Sequence, residues 1–202
     1  SVCESGELIP VDEAIERLLA QAPPPPSTQQ VKTAQALGRV LAGDIFSPVN
    51  LPAWDNSAMD GYALCAADLP AEGGYLRLAG RIAAGDAAAT ALSSGQTMRI
   101  FTGAPLPSGA DTVVPQERCR VYGQRIWCPP MRTGEHVRKQ GEEVTQGALL
   151  LPAGKRLRAQ ELGLLAAAGL AQVKVYRPLR VCLLSSGDEL REPGDHLAPG
   201  QI

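Results

Sequence analysis

The sequence predicts a multidomain α+β protein with a β-rich segment over residues 53–137. Two observations support this fold class. Between Trp54 and Val137 the apolar residues occur in short runs separated by Gly, Pro, Asp and Ser, which is typical of a small β-barrel or sandwich. Outside that segment, apolar residues recur at helical spacing or in longer runs. The 202 residues, 45% of them hydrophobic, suffice for one or two domains with a real core.

The first predicted element is an amphipathic helix over residues 11–21, where apolar residues recur every three or four positions. Asp12 and Glu13 lie in its first turn, where the helix dipole favours negative charge. Four consecutive prolines, residues 23–26, end the helix and predict a stiff, extended connector.

A second helix is predicted over residues 34–42, with Thr33 as its N-cap and Gly43 at its end. In the β-rich segment, Gly123 is expected in a hairpin turn. Short strands are expected at residues 75–78, 97–101, 112–115 and 125–128.

The β-rich segment is followed by mixed elements: a strand over residues 148–151, a helix over 159–168 and a strand over 172–176. Residues 180–185 form a nearly uninterrupted apolar run, which predicts a buried parallel strand opening an α/β domain. The loop of residues 186–189 would then lie at the carboxyl end of that strand, where ligands bind in such folds. Because few residues follow, we expect the chain to stop inside this domain.

Composition excludes several function classes. The net charge of −2 and the pI near 5.7 argue against a general nucleic-acid-binding protein, which needs a basic face. No apolar run is long enough for a transmembrane helix, and the acidic start of the chain does not resemble a secretory signal. Five widely spaced cysteines without a C-x-x-C pair predict reduced thiols in a cytoplasmic protein rather than a zinc site.

Two polar loops are candidates for a functional site. Residues 55–60 place two carboxylates, an amide and a hydroxyl in six positions, and either an Asx-rich turn or a binding loop explains them. Residues 101–105 place Thr102 next to Gly103, which suits either a nest of N–H donors that holds an anion or an ordinary turn after a strand.

Two acidic loops, Glu142-Glu143 and Asp188-Glu189, complete the candidate set. Each is explained either as a solvated turn or as part of a site. Carboxylates repel an anionic substrate unless a divalent cation lies between them, and Mg²⁺ suits one or two carboxylates plus substrate phosphates. Together, an anion nest and acidic loops would suit magnesium-assisted chemistry on a phosphorylated ligand.

Four segments identify a family resemblance: residues 55–63 (DNSAMDGYA), 99–107 (RIFTGAPLP), 109–114 (GADTVV) and 185–190 (SSGDEL). The chain resembles the molybdenum insertase family, the molybdopterin molybdenumtransferases, which include the gephyrin E domain. The resemblance implies an enzyme that inserts molybdate into adenylylated molybdopterin and releases AMP, with Mg²⁺ as cofactor. It also implies a cytoplasmic homodimer whose composite site joins the β-rich module of one subunit to the α/β domain of the other.

The resemblance further implies the domain organisation. Residues 1–52 and 138–178 would form an extended mixed α/β domain, with residues 53–137 inserted as a small β-barrel-like module. Residues 179–202 would begin the molybdopterin-binding α/β domain. Since the family chain continues for roughly twice this length, we expect the 202 residues alone to be an incomplete, inactive fragment.

Site residues follow from the same resemblance, position by position. Glu143 stands where the family usually has Asp, which keeps the charge and lengthens the side chain. The resemblance assigns catalytic roles to Asp60, Glu143 and Glu189 and substrate-binding roles to Asn56, Ser57, Thr102, Gly103 and Asp188, and leaves the magnesium ligands unidentified.

Two other functions remain open at this point. A dimerisation or scaffold module without catalysis would explain an architecture that, as in gephyrin, also docks partners. A generic phosphate-binding hydrolase would explain the polar loops but not the nine-residue match at residues 55–63.

Overall fold

A computed structural model describes residues 9–86 and 91–202. These residues are mostly strands, with two α-helices, and none of their helices has the length and apolarity to cross a bilayer. The elements are α1 (Val11–Ala20), β1 (Thr28–Lys32), β2 (Ile45–Phe46), β3 (Asn56–Ser57), β4 (Gly61–Leu64), β5 (Gly74–Ile82), β6 (Gln96–Ile100), β7 (Thr112–Pro115), β8 (Arg120–Tyr122), β9 (Arg125–Cys128), β10 (Val137–Arg138), β11 (Leu149–Leu151), α2 (Ala159–Ala167) and β12 (Gln172–Tyr176), with 3₁₀ turns at Thr33–Gln35, Ala66–Asp68 and Gln116–Arg118.

The described chain divides into two compact units, one of residues 9–29 with 176–202 and one of residues 30–175. The first unit contains α1, which confirms the helix predicted at residues 11–21. Within α1, Arg17 donates to the Glu13 carboxylate 2.5 Å away, one helical turn earlier. The apolar side of α1 is solvent-exposed, as Leu18 and Leu19 show.

A six-stranded sheet in the order β7-β4-β6-β5-β9-β8 dominates the second unit. All neighbours are antiparallel except β5 and β6, which are parallel. The ladder runs from β7 to β8 without closing, so the described residues form an open curved sheet rather than a closed barrel. Three smaller two-stranded sheets pair β1 with β12, β2 with β11 and β3 with β10.

All four residues of β4, the second strand in the sheet order, are buried. Because successive side chains of a strand point in opposite directions, both faces of β4 are covered. Ala63 packs in one apolar cluster with Met98 and Ile100. Tyr62 and Leu64, on the other face, pack in a second cluster. The strand that follows the 55–60 loop is therefore fixed between β7 and β6, with both of its faces covered.

All four strands expected in the β-rich segment are confirmed: β7 and β9 have the predicted ends, and the ends of β5 and β6 differ by one to four residues. The expected hairpin is confirmed as well. Gly123 has φ of 61°, the left-handed region that glycine adopts without strain, and β8 and β9 pair in antiparallel register on either side of it.

A separate apolar cluster packs α2 against β11, β12 and the segment around Leu41. The start of α2 is held by Glu161, only 5% exposed, whose carboxylate accepts the Arg158 backbone N–H at 2.9 Å and its guanidinium at 2.6 Å. These hydrogen bonds, those from the Arg158 side chain above all, lower the pKa of Glu161 from 4.5 to about 2.

We expect Glu161→Gln to lower the stability of the chain near neutral pH. The pKa of Glu161 is lower in the folded state than in the unfolded state. Its contribution to folding stability is therefore fully present above pH 4.5 and is lost as the pH falls towards about 2. Urea midpoints measured across this range should fall less steeply for Glu161→Gln than for the wild type. Glu16→Gln, on the exposed surface of α1, is the helical control, and an equal pH slope in Glu161→Gln and the wild type would contradict the assignment.

The helix predicted at residues 34–42 is wrong, since the 3₁₀ turn Thr33–Gln35 is the only helical turn there and Val40 and Leu41 form isolated β-bridges. The Thr33 hydroxyl donates to the Leu170 carbonyl instead of capping a helix. Farther along, Gly38 N donates to the Leu157 carbonyl at 2.7 Å and Leu41 N to the Lys155 carbonyl at 3.0 Å. Tertiary partners thus take the backbone groups that a helix would have used.

The buried strand predicted at residues 180–185 is also wrong. These residues form no regular element, and Leu183 and Leu184 are 91% and 92% exposed. A strand needs hydrogen-bonded neighbours, and no described residue forms a ladder with this run. Asp188 and Glu189 therefore do not lie at the carboxyl end of a strand in this structure.

Candidate functional site

The loop before β4 and the loop after β6 lie side by side and are joined through their backbones. Ser57 N donates to the Ala104 carbonyl at 3.0 Å, and Gly103 N donates to the Ser57 carbonyl at 2.8 Å. Pairing of β3 with β10 supports the first loop from its other side, where Ala58 N donates to the His136 carbonyl at 2.9 Å. The two polar loops predicted from the sequence therefore form one surface.

Asp60 and Thr102 meet on this surface. The backbone N–H and the hydroxyl of Thr102 both donate to Oδ1 of Asp60, at 2.8 Å and 2.7 Å. These two hydrogen bonds, the backbone one first, hold the pKa of Asp60 below its usual 3.8, and the positive charge of Arg99 adds to the effect. Asp60 is thus an anion at neutral pH, and no described residue donates to its Oδ2.

The turn at residues 101–105 is not a free anion nest. Thr102 N is bonded to Asp60, Gly103 N to the Ser57 carbonyl, and Ala104 N to the Phe101 carbonyl at 2.9 Å. Of the two interpretations that the sequence left open, the structure shows the ordinary turn after a strand. The anion that the Thr102 N–H binds is the chain's own carboxylate.

Asn56 and Ser57 face inward. The Ser57 hydroxyl is fully buried and donates to the Met59 carbonyl at 2.5 Å, which closes a tight turn. Asn56 is 7% exposed and donates from Nδ2 to the Trp54 carbonyl at 3.3 Å, while its Oδ1 has no hydrogen-bond partner. Both side chains shape the loop that presents Asp60, and their predicted contact with substrate stays a prediction.

Arg99 connects the segments on either side of Asp60. Its guanidinium donates to the Gly61 carbonyl at 3.0 Å and to the Oε1 of Gln116. Gln116 in turn donates its backbone N–H to the Asp60 carbonyl at 3.0 Å. Arg99 and Gln116 therefore fix the backbone that carries the Asp60 carboxylate.

A second arginine lies beside the same turn. Arg81 and Arg99 occupy paired register positions on the parallel strands β5 and β6, and their guanidinium carbons lie 4.9 Å and 4.7 Å from the centre of the Phe101 ring. Two like charges at paired positions are unfavourable unless the ring and hydrogen bonds stabilise them. No role for either arginine follows from the sequence, and only the strand register reveals the pair.

The acidic loop at Glu142-Glu143 is tied to Asp55 rather than to Asp60. Asp55 accepts hydrogen bonds from Lys139 Nζ and Gln140 N, both at 2.8 Å, and the Lys139 bond first and the Gln140 bond second lower its pKa. Glu142 accepts the Lys139 backbone N–H at 2.7 Å. Glu143 is exposed, and no hydrogen bond or ion pair in the described chain joins it to Asp60, so its catalytic role stays a prediction.

Asp188 and Glu189 belong to the other compact unit, the one that contains residues 176–202. Both are exposed, and the Glu189 carboxylate folds back over Gly187, where an added Cβ would lie 2.5 Å from Oε2. Their predicted roles in catalysis and substrate binding remain predictions.

With this geometry established, similarity to known proteins identifies the family. The family model described as "MoeA N-terminal region (domain I and II)" matches residues 9–169. The chain belongs to the MoeA N-terminal family. The match contains the whole six-stranded sheet and both loops of the Asp60 surface.

Individual relatives support the assignment to this family. Molybdopterin molybdenumtransferase of Haemophilus influenzae is 39% identical over 197 residues, which are 96% of this chain and 48% of the relative. The protein of the same name from Nostoc sp. is 43% identical over 180 residues, 87% of this chain and 41% of the relative. The chain thus spans about half the length of the curated relatives it matches.

Solved MoeA structures match the fold as well. Two crystal structures of molybdopterin biosynthesis MoeA protein from Pyrococcus horikoshii superpose with TM-scores of 0.77 and 0.86, at 34% and 32% identity. They cover 97% and 94% of this chain, and the chain covers 51% and 52% of theirs. Mixed sheets with few helices are therefore the MoeA architecture in this region.

The magnesium that the family resemblance implies stays a prediction, since Mg²⁺ needs only one or two carboxylates when substrate phosphates and water complete its shell. In residues 9–86 and 91–202, no three His, Cys, Asp or Glu side chains approach closely enough to hold a metal. Asp60 offers one oxygen, and Asp55 is bonded to Lys139.

We expect Thr102→Val to raise the pKa of Asp60. Valine keeps the shape and the backbone N–H but removes the hydroxyl that donates to Oδ1. The carboxyl ¹³C resonance of Asp60, followed by NMR through an acid titration, measures the change. Thr133→Val is the control because Thr133 is exposed and forms no hydrogen bond with Asp60. A pKa that stays fixed in Thr102→Val would contradict the hydrogen bond.

Proposed function

We propose that this chain forms the N-terminal region of a molybdopterin molybdenumtransferase, which inserts molybdate into adenylylated molybdopterin and releases AMP. The family and the activity after which its relatives are named support this function. The observation that carries it is the Asp60 carboxylate, oriented by two donors of Thr102 and open at Oδ2.

The lowered pKa of Asp60 bears on its role. A general base works best when its pKa lies near the operating pH, and Asp60 is far from that condition at neutral pH. We therefore assign Asp60 the role of a fixed anion that accepts a hydrogen bond from the reacting group or its water and so orients it. Thr102 acts on the same group through Asp60, since both of its donors are already engaged.

Arg81 and Arg99 supply positive charge beside this carboxylate. Both molybdate and the adenylylated pterin are anions, and a carboxylate alone would repel them. Arg99 is engaged with Gly61 and Gln116, whereas Arg81 forms no ion pair with a described carboxylate. We assign Arg81 to contact an anionic oxygen of the substrate, and Arg99 to hold the loop.

The rest of the site would come from outside this surface. We propose a cytoplasmic homodimer in which the Asp60 surface of one subunit faces the molybdopterin-binding domain of the other, to which Asp188 and Glu189 belong. Glu143, Asn56, Ser57 and Gly103 keep the roles that the family resemblance implies. The share of the relatives that this chain covers, about half, supports a site completed by further residues.

A hybrid enzyme tests the proposal. The matching half of the Haemophilus influenzae relative is replaced by this chain, and the hybrid is added to an insertase-deficient extract together with molybdate. Restored molybdenum cofactor, measured by reconstitution of an apo-molybdoenzyme, is the expected result. The intact relative is the positive control, and its C-terminal half alone is the negative control.

The same experiment distinguishes the enzymatic proposal from the alternative of a dimerisation or scaffold module. A hybrid that folds and dimerises, as shown by circular dichroism and light scattering, but makes no cofactor would contradict the enzymatic proposal. That result would leave dimerisation without catalysis as the function of this region.

A further inference from the structure

Cys119 and Cys128 face each other across the β8–β9 hairpin. The register pairs Arg120 with Trp127 and Val121 with Ile126, so the next pair outward is Cys119 with Cys128. Their sulfur atoms lie 3.8 Å apart. Cys119 N donates to the Gln116 carbonyl rather than across the hairpin, which is the pattern of a non-hydrogen-bonded pair, where opposite Cα atoms come closest.

This backbone spacing suits a disulfide. Directly opposite residues of antiparallel strands have Cα atoms about 4.5–5.5 Å apart, within the range of about 4.4–6.8 Å that disulfides span. Closing the gap from 3.8 Å needs rotation of the two side chains and little movement of the strands. The hairpin is also held on its inner side, where β9 pairs with β5.

The two thiols differ in a way that favours reaction between them. Cys119 is half-buried, and a hydrogen bond from Cys128 lowers its pKa, with Arg118 and Arg99 as nearby positive charges. Cys128 is buried, and its hydrogen bond to Cys119 and its burial raise its pKa. Cys119 is therefore the thiol that ionises first and the one nearer to solvent.

We infer that Cys119 and Cys128 form a thiol modification site, which a peroxide oxidises reversibly to an intramolecular disulfide. The Cys119 thiolate attacks one peroxide oxygen, the O–O bond breaks, and water leaves after protonation, so that Cys119 becomes a sulfenic acid. The Cys128 sulfur then attacks the Cys119 sulfur, its proton goes to the departing hydroxide, and a second water leaves. One peroxide accepts the two electrons that the two thiols lose.

The other described cysteines lack such a partner. Cys65 lies 3.8 Å from an oxygen of Asp111, and Cys182 is exposed in the 176–202 unit. Neither has a second described sulfur within hydrogen-bonding distance. The pair also adjoins the Asp60 surface, because Cys119 N bonds to the carbonyl of Gln116, whose own N–H holds the Asp60 carbonyl.

Peroxide treatment of the full 202-residue chain tests the inference. After oxidation with hydrogen peroxide, free thiols are blocked under denaturing conditions and the chain is digested with trypsin without reduction. Cleavage after Arg118, Arg120, Arg125 and Arg132 predicts one linked species, in which residues 119–120 are joined to residues 126–132. We expect this species in the wild type, with a loss of two thiols per chain that dithiothreitol reverses.

Matched variants complete the design. Cys65→Ser and Cys182→Ser should form the same linked species, and Cys119→Ser and Cys128→Ser should form none. A wild type that stays folded by circular dichroism and yields no 119–128 linkage, or yields more of another pair, overturns the inference. The assay needs no transferase activity, so its outcome does not depend on the proposed function.

Discussion

Asp60→Asn is expected to abolish molybdenum insertion by the hybrid enzyme while leaving its fold intact. Asparagine retains an oxygen in the place of Oδ1, so both Thr102 donors keep their acceptor. What disappears is the negative charge at the open oxygen. Loss of one preorganised group aimed at the reacting atoms costs on the order of a hundredfold or more in rate, and we expect at least that loss here.

The measurement is cofactor formed per hybrid molecule, with the urea midpoint as the check on folding. Asp60 is half-exposed and outside both apolar clusters of the sheet, so the midpoint should stay close to that of the parent. Glu72→Gln removes an exposed carboxylate from the same β-rich segment and should leave both quantities unchanged. Normal turnover by a folded Asp60→Asn hybrid would remove Asp60 from the site.

Gly61→Ala is expected to cause a large loss of stability. A Cβ on Gly61 would lie 2.1 Å from the Val114 carbonyl oxygen and 2.9 Å from its carbon. That contact is with the backbone of β7, and β4 is bonded to β6 on its other side, so neither strand can shift freely. We expect a destabilisation of about 4 kcal/mol, or failure to fold.

Gly80→Ala is the matched control in the same sheet. Its added Cβ would meet only the Met98 methyl group at 3.9 Å, an ordinary van der Waals contact with a flexible side chain. Its effect should stay within about 1 kcal/mol. Chemical denaturation of both variants gives the comparison, and equal stabilities would show that β4 does not pack as closely against β7 as described.

A local sequence pattern was sufficient to predict those elements that are stabilised by interactions among their own residues. α1 was predictable because its apolar spacing and its acidic first turn lie within one helix. The β8–β9 hairpin was predictable because Gly123 supplies the positive φ that its turn requires. The segment at residues 34–42 was not, because its backbone partners lie near residues 155–157, far along the chain.

The site, too, was predictable from the sequence only in part. Asp60 and Thr102 were identified through motif resemblance, and in the structure they are hydrogen-bonded although 42 positions separate them in sequence. The bracing by Gln116 and the Arg81–Arg99 pair depend on strand register and on a 3₁₀ turn, which no local pattern indicates. The anion nest at residues 101–105 was a sound local interpretation that failed because the chain's own acceptors occupy its donors.

By itself, the sequence determined the family, the position of the β-rich segment and the residues from which a site could be built, since these depend on residue identity and short-range spacing. Only the tertiary structure decided which donors remain available, which charges adjoin Asp60 and which thiols face each other. The physical reason is that hydrogen-bond satisfaction and charge pairing are set by distances between atoms that the fold, and not the order of residues, brings together.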